Sequence, residues 1–373
     1  MLTASSARRD LGRICLYLFI WAAMPFKWWL VATFFFLPWV LLSYNRVIDL
    51  RRISIVFMTS VLLALVYVIG YQNLIIAEDK LLVAAGIAAQ AVVFMLVFAP
   101  CPRPGHNDSA LLLAVAMGFL VHGLVSSLYT FIAAGRSVGL GVLFNPIYGS
   151  AELGSPLVSN YLCIAFLVVY FFFKPGLPKY ILLLLIIGIN LYLVSRAFFV
   201  VAVGIVVLDK IINLRAASIV ALATTCLVAF ALITSSESSS FGGIGEIFRQ
   251  YTDKGVESTR WEHWGFALRV FHLYPWGGMM VDRSIEDIGS FHNIFFDVYR
   301  IAGVAGFFAL LALVGASLFW MRSDRPKFLT LFGLVLILSQ DVVFEGGQKM
   351  LLVFLLLALM APPRVPADIR AAR

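Results

Sequence analysis

Residues 110–134 read ALLLAVAMGFLVHGLVSSLYTFIAA, twenty-five positions without one Asp, Glu, Lys or Arg. As a helix rising 1.5 Å per residue, this stretch covers about 37 Å, more than the ~30 Å hydrocarbon core of a bilayer. Working outward from it, further apolar runs bounded by charges or Pro/Gly clusters fall near 13–25, 28–44, 53–71, 81–99, 155–173, 180–194, 197–213, 216–234, 298–320, 328–344 and 349–361, twelve in all. Over the 373 residues, 62% are hydrophobic and 13% charged, with a mean hydropathy of +0.96, far more apolar surface than a soluble core buries. The expected fold class is an all-α polytopic membrane protein: a single membrane domain over 1–373 with about twelve transmembrane helices. One long extracytoplasmic loop is expected to carry short amphipathic helices. The basic opening MLTASSARRD precedes an apolar run as in a signal peptide, but no small-residue cleavage site follows. The first run is expected to stay as an anchor.

Placing the N-terminus in the cytoplasm assigns a side to every connection, and the Lys/Arg distribution tests that assignment independently of hydropathy. Seventeen of the 28 Lys and Arg then fall inside: in the N-terminal arm, at 46–52, 103, 174–179, 210–215 and 322–327, and in the C-terminal tail. Of the 20 acids, fourteen fall outside. This is the positive-inside pattern, so the net charge of +8 marks orientation and gives no reason to expect nucleic acid as a partner. Cys15, Cys101, Cys163 and Cys226 are scattered, with no CxxC and no Cys/His pair at metal spacing, so neither disulfide nor metal is expected.

All but one of the connections are short. The exception runs from 235 to 297, on the outer face, between the ninth and tenth spans. It opens on SSESSSFGGIG, a Ser/Gly-rich hinge. After Ser258-Thr259, a stripe of Trp261, Trp264, Leu268 and Phe271 at i, i+3, i+7 and i+10 predicts an amphipathic helix, with Thr259 and Glu262 spaced as a capping box. Gly265 weakens that helix. The stripe accounts for a helix lying on the membrane or lidding a cavity. It does not account for Arg260 at the helix start.

Three places carry candidate chemistry. Ser195-Arg196, in YLVSRAFFVV, puts an arginine at the outer end of a span. It is either a snorkelling anchor or a fixed positive charge for a phosphate or pyrophosphate. In Ser258-Thr259-Arg260-Trp261-x-x-Trp264, Arg260 is either a solvated loop charge or, beside a helix N-terminus, an anion ligand. In Phe291-His292-Asn293-Ile-Phe-Phe-Asp297-x-x-Arg300-x-x-Gly303-x-x-Gly306, polar residues gather where the loop re-enters the membrane. A lone His is more often a packing residue than a catalytic one. Here Asp297 and Arg300 lie one turn apart, an imidazole at the interface suits proton transfer near neutral pH, and the two glycines are expected to let helices approach.

At these places the chain resembles the O-antigen ligase/polymerase superfamily of bacterial envelope polysaccharide assembly, over about Arg136 to Gly306. Arg136-SVGLGVLFNP is similar to an outer-loop pattern of Arg, glycines and Asn-Pro before a span. Ser195-Arg196-x-x-x-Val200 resembles an Arg-x3-Leu motif with Val for Leu, and STRWEHWGFALRVFHLYPWGG resembles Arg-x3-Trp followed by Pro and Gly-x-Gly, blurred here to Trp276-Gly277-Gly278. His292, with Gly303 eleven positions on, resembles His-x10-Gly. Each motif alone is weak; the four in order, in a twelve-span frame with one large outer loop, are specific.

The resemblance implies a multi-pass glycosyltransferase of the bacterial inner membrane with its active site facing the periplasm. Its donor would be an undecaprenyl-pyrophosphate-linked glycan, transferred with inversion and without metal or other cofactor. No outer loop carries Asp-x-Asp or Asp-Asp, in keeping with that. The resemblance then implies Arg196 and Arg260 as neutralisers of the leaving pyrophosphate and His292 as the base or acceptor-orienting residue. Arg136, Asn293, Asp297, Arg300, Trp261 and Trp264 are the expected substrate-binding set. The acceptor is either a second lipid-linked repeat unit, as for a polymerase, or the lipid A core, as for a ligase. A chain-length regulator protein is a further candidate partner. The long loop carries nine acids against five Lys/Arg, an awkward partner for a phosphorylated core, so polymerase is the reading taken and ligase the alternative. A lipid-linked glycan transporter is a third reading, disfavoured by the absence of an internal repeat and by polar residues gathered on one face instead of near the midplane. A scaffold for other envelope enzymes leaves His292 and the arginines without a role.

Overall fold

A computed structural model describes residues 4–25, 108–133, 142–144, 151–212, 259–279 and 291–339. The elements are α1 (Ala4–Ala23), α2 (Asp108–Ala133), β1 (Val142–Phe144), β2 (Ala151–Gly154), α3 (Ser155–Phe172), α4 (Leu177–Tyr192), α5 (Arg196–Ile212), α6 (Thr259–Val270), α7 (Ile294–Met321) and α8 (Arg325–Leu338). A 3-10 turn, Phe271–Leu273, follows α6. The apolar runs at 13–25, 110–134, 155–173, 180–194, 197–213, 298–320 and 328–344 coincide with helices over most of their described residues. Those at 28–44, 53–71, 81–99, 216–234 and 349–361 lie outside the described residues. Among the described residues three helices are long and apolar enough to cross a membrane: α2 over Ser109–Ala133, α3 and α7.

Local sequence sets where these helices start. α3, α4 and α8 each carry a proline in the first turn, where its missing N–H is not needed and its fixed φ suits the helix. α8 is also capped by Asp324, which accepts the Lys327 amide at 3.4 Å. α7 starts four residues before its apolar run because Asn293 caps it there. The all-α expectation misses one feature. β1 and β2 pair antiparallel, Val142 opposite Gly154 and Leu143 opposite Leu153, and Thr130 of α2 accepts the Phe144 amide at 2.9 Å. Glycine-interrupted sequence of this kind reads as loop, and this bond ties the hairpin to α2.

The core runs through α1, α2 and α3. Trp21 and Tyr17 of α1 are fully buried, Trp21 lies tilted at 6.4 Å from Phe119, and Phe119 stacks on Tyr161 at 4.6 Å. α1 approaches α2 so closely at Gly118 that a Cβ there would lie 2.5 Å from the Phe19 carbonyl. α8 packs on α3 and α5, and α7 on α8.

One end of this bundle is tied by polar bonds. Arg325 of α8 pairs with the Asp209 carboxylate on α5 and also donates to the Asp209 carbonyl. The Tyr170 hydroxyl of α3 donates to the other Asp209 oxygen at 3.1 Å, and Lys179 of α4 donates to the Tyr170 carbonyl. The ends of α3, α4, α5 and α8 therefore share one side, the side on which Lys174, Lys179, Lys210 and Arg325 stand. By connectivity the β-hairpin, Ser195-Arg196 and the start of α7 share the other. Cysteines placed at exposed Lys174 and Ser323, in a chain lacking its four natural cysteines, should label from outside only after permeabilisation, whereas one at exposed His272 should label in intact cells. Labelling of position 272 from the cytoplasm would invert the topology.

Candidate functional site

The start of α7 is built on its own sequence. Asn293 adopts extended backbone and its Oδ1 accepts the amides of Phe295 and Phe296, at 3.0 and 3.5 Å. One turn on, Asp297 accepts the Phe291 amide at 3.0 Å through Oδ1 and faces Arg300 at 3.6 Å. Both are interior, Asp297 2% and Arg300 6% exposed, and the guanidinium lies 5.6 Å from the Phe291 ring centroid. The expected Asp297–Arg300 proximity is thus present, but as a buried ion pair.

α6 packs over this start. Trp264 donates from Nε1 to the Phe291 carbonyl at 2.7 Å, and Tyr299 donates to the Phe271 carbonyl at 3.0 Å while its ring stacks on Phe271 at 4.2 Å. Phe291 and Phe296 close the cluster edge-on. The apolar face of α6 differs from the expected stripe: Ala267 and Phe271 are buried and Trp264 half-buried, whereas Leu268 is 67% exposed. Trp264, Ala267 and Phe271 follow i, i+3, i+7, and small Ala267 admits the rings of α7; reading by residue size favoured Leu268.

His292 sits between two residues fixed in this way. The Phe291 amide is held by Asp297 and its carbonyl by Trp264, and on the other side Asn293 is the α7 cap. His292 itself has φ +51°, left-handed backbone that a non-glycine residue rarely adopts. Among the described residues one other non-glycine has positive φ, Val194, also at +51°. Val194 lies in the α4–α5 turn two residues before Arg196. There Ser195 accepts the Phe198 amide at 3.3 Å at the start of α5 and bonds Ser159, which donates to Asn190 Oδ1 at 2.7 Å. Arg196 opens α5, half-buried.

α7 is broken at Gly303, φ +64° and ψ −158°. In an unbroken helix the Val304 amide donates to the Arg300 carbonyl. Here it donates to the Pro275 carbonyl at 2.9 Å, and the Gly278 amide donates to the Ile301 carbonyl at 3.3 Å. The turn Tyr274–Gly278 thus occupies the break, as buried backbone groups require. Gly277 and Gly278 have φ +83° and +81°. A Cβ on Gly277 would lie 2.3 Å from the Ile301 carbonyl oxygen, and one on Gly303 2.3 Å from that of Pro275. The close approach expected at Gly303 is made, among the described residues, by this turn and not by another helix. Beyond the break, 304–321 is eighteen residues, about 27 Å of helix, close to a bilayer core. The earlier part of α7, with Asp297 and Arg300, joins α6 through Phe296 and Tyr299 and the main core through Ile294 and Val298.

Asn293, Asp297, Arg300 and Trp264 of the expected substrate-binding set are thus engaged with one another and with backbone around His292. Arg260 falls in the first turn of α6, followed by Trp261; their side chains, and Arg136 altogether, lie outside the described residues. The stitching of Pro275–Gly278 to Gly303 was not read from sequence, although Pro-Trp-Gly-Gly and a glycine amid apolar helix were its signals. No protein-family model matches this chain, and no curated protein does either.

Proposed function

We propose that the chain is a membrane glycan polymerase of the bacterial inner membrane, working on its periplasmic face with an undecaprenyl-pyrophosphate-linked glycan as donor. The acceptor hydroxyl of a second lipid-linked repeat unit attacks the anomeric carbon. The bond from that carbon to the pyrophosphate oxygen breaks with its electron pair leaving on the pyrophosphate, and the hydroxyl proton passes to His292. Arg196 and Arg260 meet the charge that grows on the leaving group, where a guanidinium can bind two phosphate oxygens at once. Asp297, Trp264 and Asn293 hold the backbone on either side of His292 and are positioning residues.

The observation that carries this reading is where the strained backbone falls. Left-handed conformation at a non-glycine costs about 1 kcal/mol or more and gathers at functional sites. Here it falls on His292, a position singled out by motif, and on Val194, which adjoins the Ser195-Arg196 motif.

The test is glycan transfer by the purified protein in lipid, with a lipid-linked repeat unit as both donor and acceptor. Arg196→Ala and Arg260→Ala should each lower the rate by about a hundredfold or more with the protein still expressed, the scale of losing one charge-stabilising group. Lysine at either place should restore only part of it, since a point charge cannot make the two-pronged contact. Full activity of both alanine variants would leave these arginines as interface anchors, and no transfer by the native chain would sink the proposal.

A further inference from the structure

We propose that the turn Pro275–Gly278 is an exchangeable latch on α7. Seated, it supplies the bonds that the break at Gly303 leaves open; withdrawn, it lets α7 close its own ladder across Gly303 and straighten. The exchange leaves no orphan at the Val304 amide, which is bonded to Pro275 in one state and to Arg300 in the other. Gly303 is the residue type that can occupy both, since it takes φ +64° without a Cβ clash and also tolerates helix at about 1 kcal/mol relative to Ala. Gly277 and Gly278 need their positive φ only while the turn is seated.

The moving body is defined by the aromatic cluster. Phe271, Phe291, Phe296 and Tyr299, with the Trp264 bond to the Phe291 carbonyl, join α6 to the part of α7 before the break. α7 beyond Gly303 packs on α8, and α8 is tied to α5 through Arg325 and Asp209. Ile294 and Val298, before the break, are buried in the main core with α5, so closing the break turns α6 and His292 together while these two side chains repack, changing the separation of His292 from Arg196. Resting on the proposed transferase reading, the latch is what admits a lipid-linked glycan and then sets His292 for transfer.

Hydrogen exchange at single-residue resolution on the native full chain in nanodiscs tests this without glycan. An exchangeable latch frees the Gly278 amide while Val304 is re-bonded inside α7, so Gly278 should exchange roughly tenfold or more faster than Val304. A turn that comes off only when the region unfolds would release both amides together, and equal rates overturn the proposal. Spin labels at exposed Leu268 of α6 and Phe308 of α7, in a chain lacking its natural cysteines, supply the second measurement. Gly277→Ala and Gly303→Ala approach the same contact from its two sides and should shift the distance distribution in the same direction. Folded variants with the native distribution count against the latch, and if neither variant folds the native exchange rates decide. Neither readout needs catalysis. A fast Gly278 without glycan transfer keeps the latch and discards the transferase reading, and transfer with equal rates does the reverse.

Discussion

Asp297→Ala is expected to unfold the module around His292 and abolish transfer. The substitution removes the acceptor of the buried Phe291 amide and leaves the Arg300 guanidinium, 6% exposed, without its carboxylate. Breaking a buried pair from one side costs about 3–5 kcal/mol. An orphaned buried amide adds about 1–3 kcal/mol. Against a total stability typically near 5–15 kcal/mol, the loss is large for a module with a small core. Asp297→Asn keeps an acceptor for the Phe291 amide but leaves Arg300 charged, and should fall between. The informative variant is Asp297→Asn with Arg300→Met, which removes both charges and leaves an apolar stem of similar length. Because a buried pair is often replaceable by uncharged groups, this double variant should melt within a few degrees of the native chain and well above either single variant. Activity of the double variant then decides what the pair does. Transfer retained means that Asp297 and Arg300 only seat His292; a folded but inactive double variant would put them in contact with substrate. Thermal unfolding of the purified chain, paired with the transfer assay, gives both answers.

The helical character of the described apolar runs, three of them long enough to span, was legible because a bilayer admits helices with one requirement, uninterrupted apolar length, that is written locally in each segment. The orientation expected from the Lys and Arg of each loop awaits the labelling experiment; the ends of α3, α4, α5 and α8 that meet around Asp209 are ends that the alternation of sides puts together. At the candidate site, spacing alone put Asp297 within reach of Arg300, a pair set by one helical turn. What could not be read depends on partners distant in sequence. The face of α6 is chosen by the rings of Phe291, Phe296 and Tyr299, which accept Ala267 and leave Leu268 outside, the opposite of an ordering by side-chain size. The break in α7 lies inside a run whose hydropathy is continuous across Gly303, and a glycine there reads equally as a packing notch. Only the backbone of Pro275 and Gly278, about twenty-five residues earlier, determines which it is. The strained φ of His292 and Val194 has no sequence signature, because it is imposed by bonds on either side of each residue.

Deletion of the gene in its native host is expected to leave the lipid A core carrying a single repeat unit. A polymerase extends the chain while it is still on the polyprenyl carrier, so without it a separate ligase continues to pass unextended units to the core. The long loop, with nine acids against five basic residues, is a poor seat for a phosphorylated core and fits an uncharged acceptor hydroxyl presented on a second carrier. A ligase would give the opposite picture: a bare core, and long chains accumulating on the carrier. Electrophoresis of the envelope glycolipids separates the two by band pattern. His292→Ala should reproduce whichever pattern the deletion gives, because both acceptors must lose a hydroxyl proton, and a positioned general base contributes about a hundredfold to ten-thousandfold. His292→Gly relaxes the left-handed backbone while removing the imidazole, so it should be no less stable than the native chain yet as inactive as alanine. A His292→Gly protein that still polymerised would show that the backbone turn matters at this position and the imidazole does not. A bare core with carrier-linked polymer would move the assignment to the ligase, with the roles of Arg196, Arg260 and His292 unchanged.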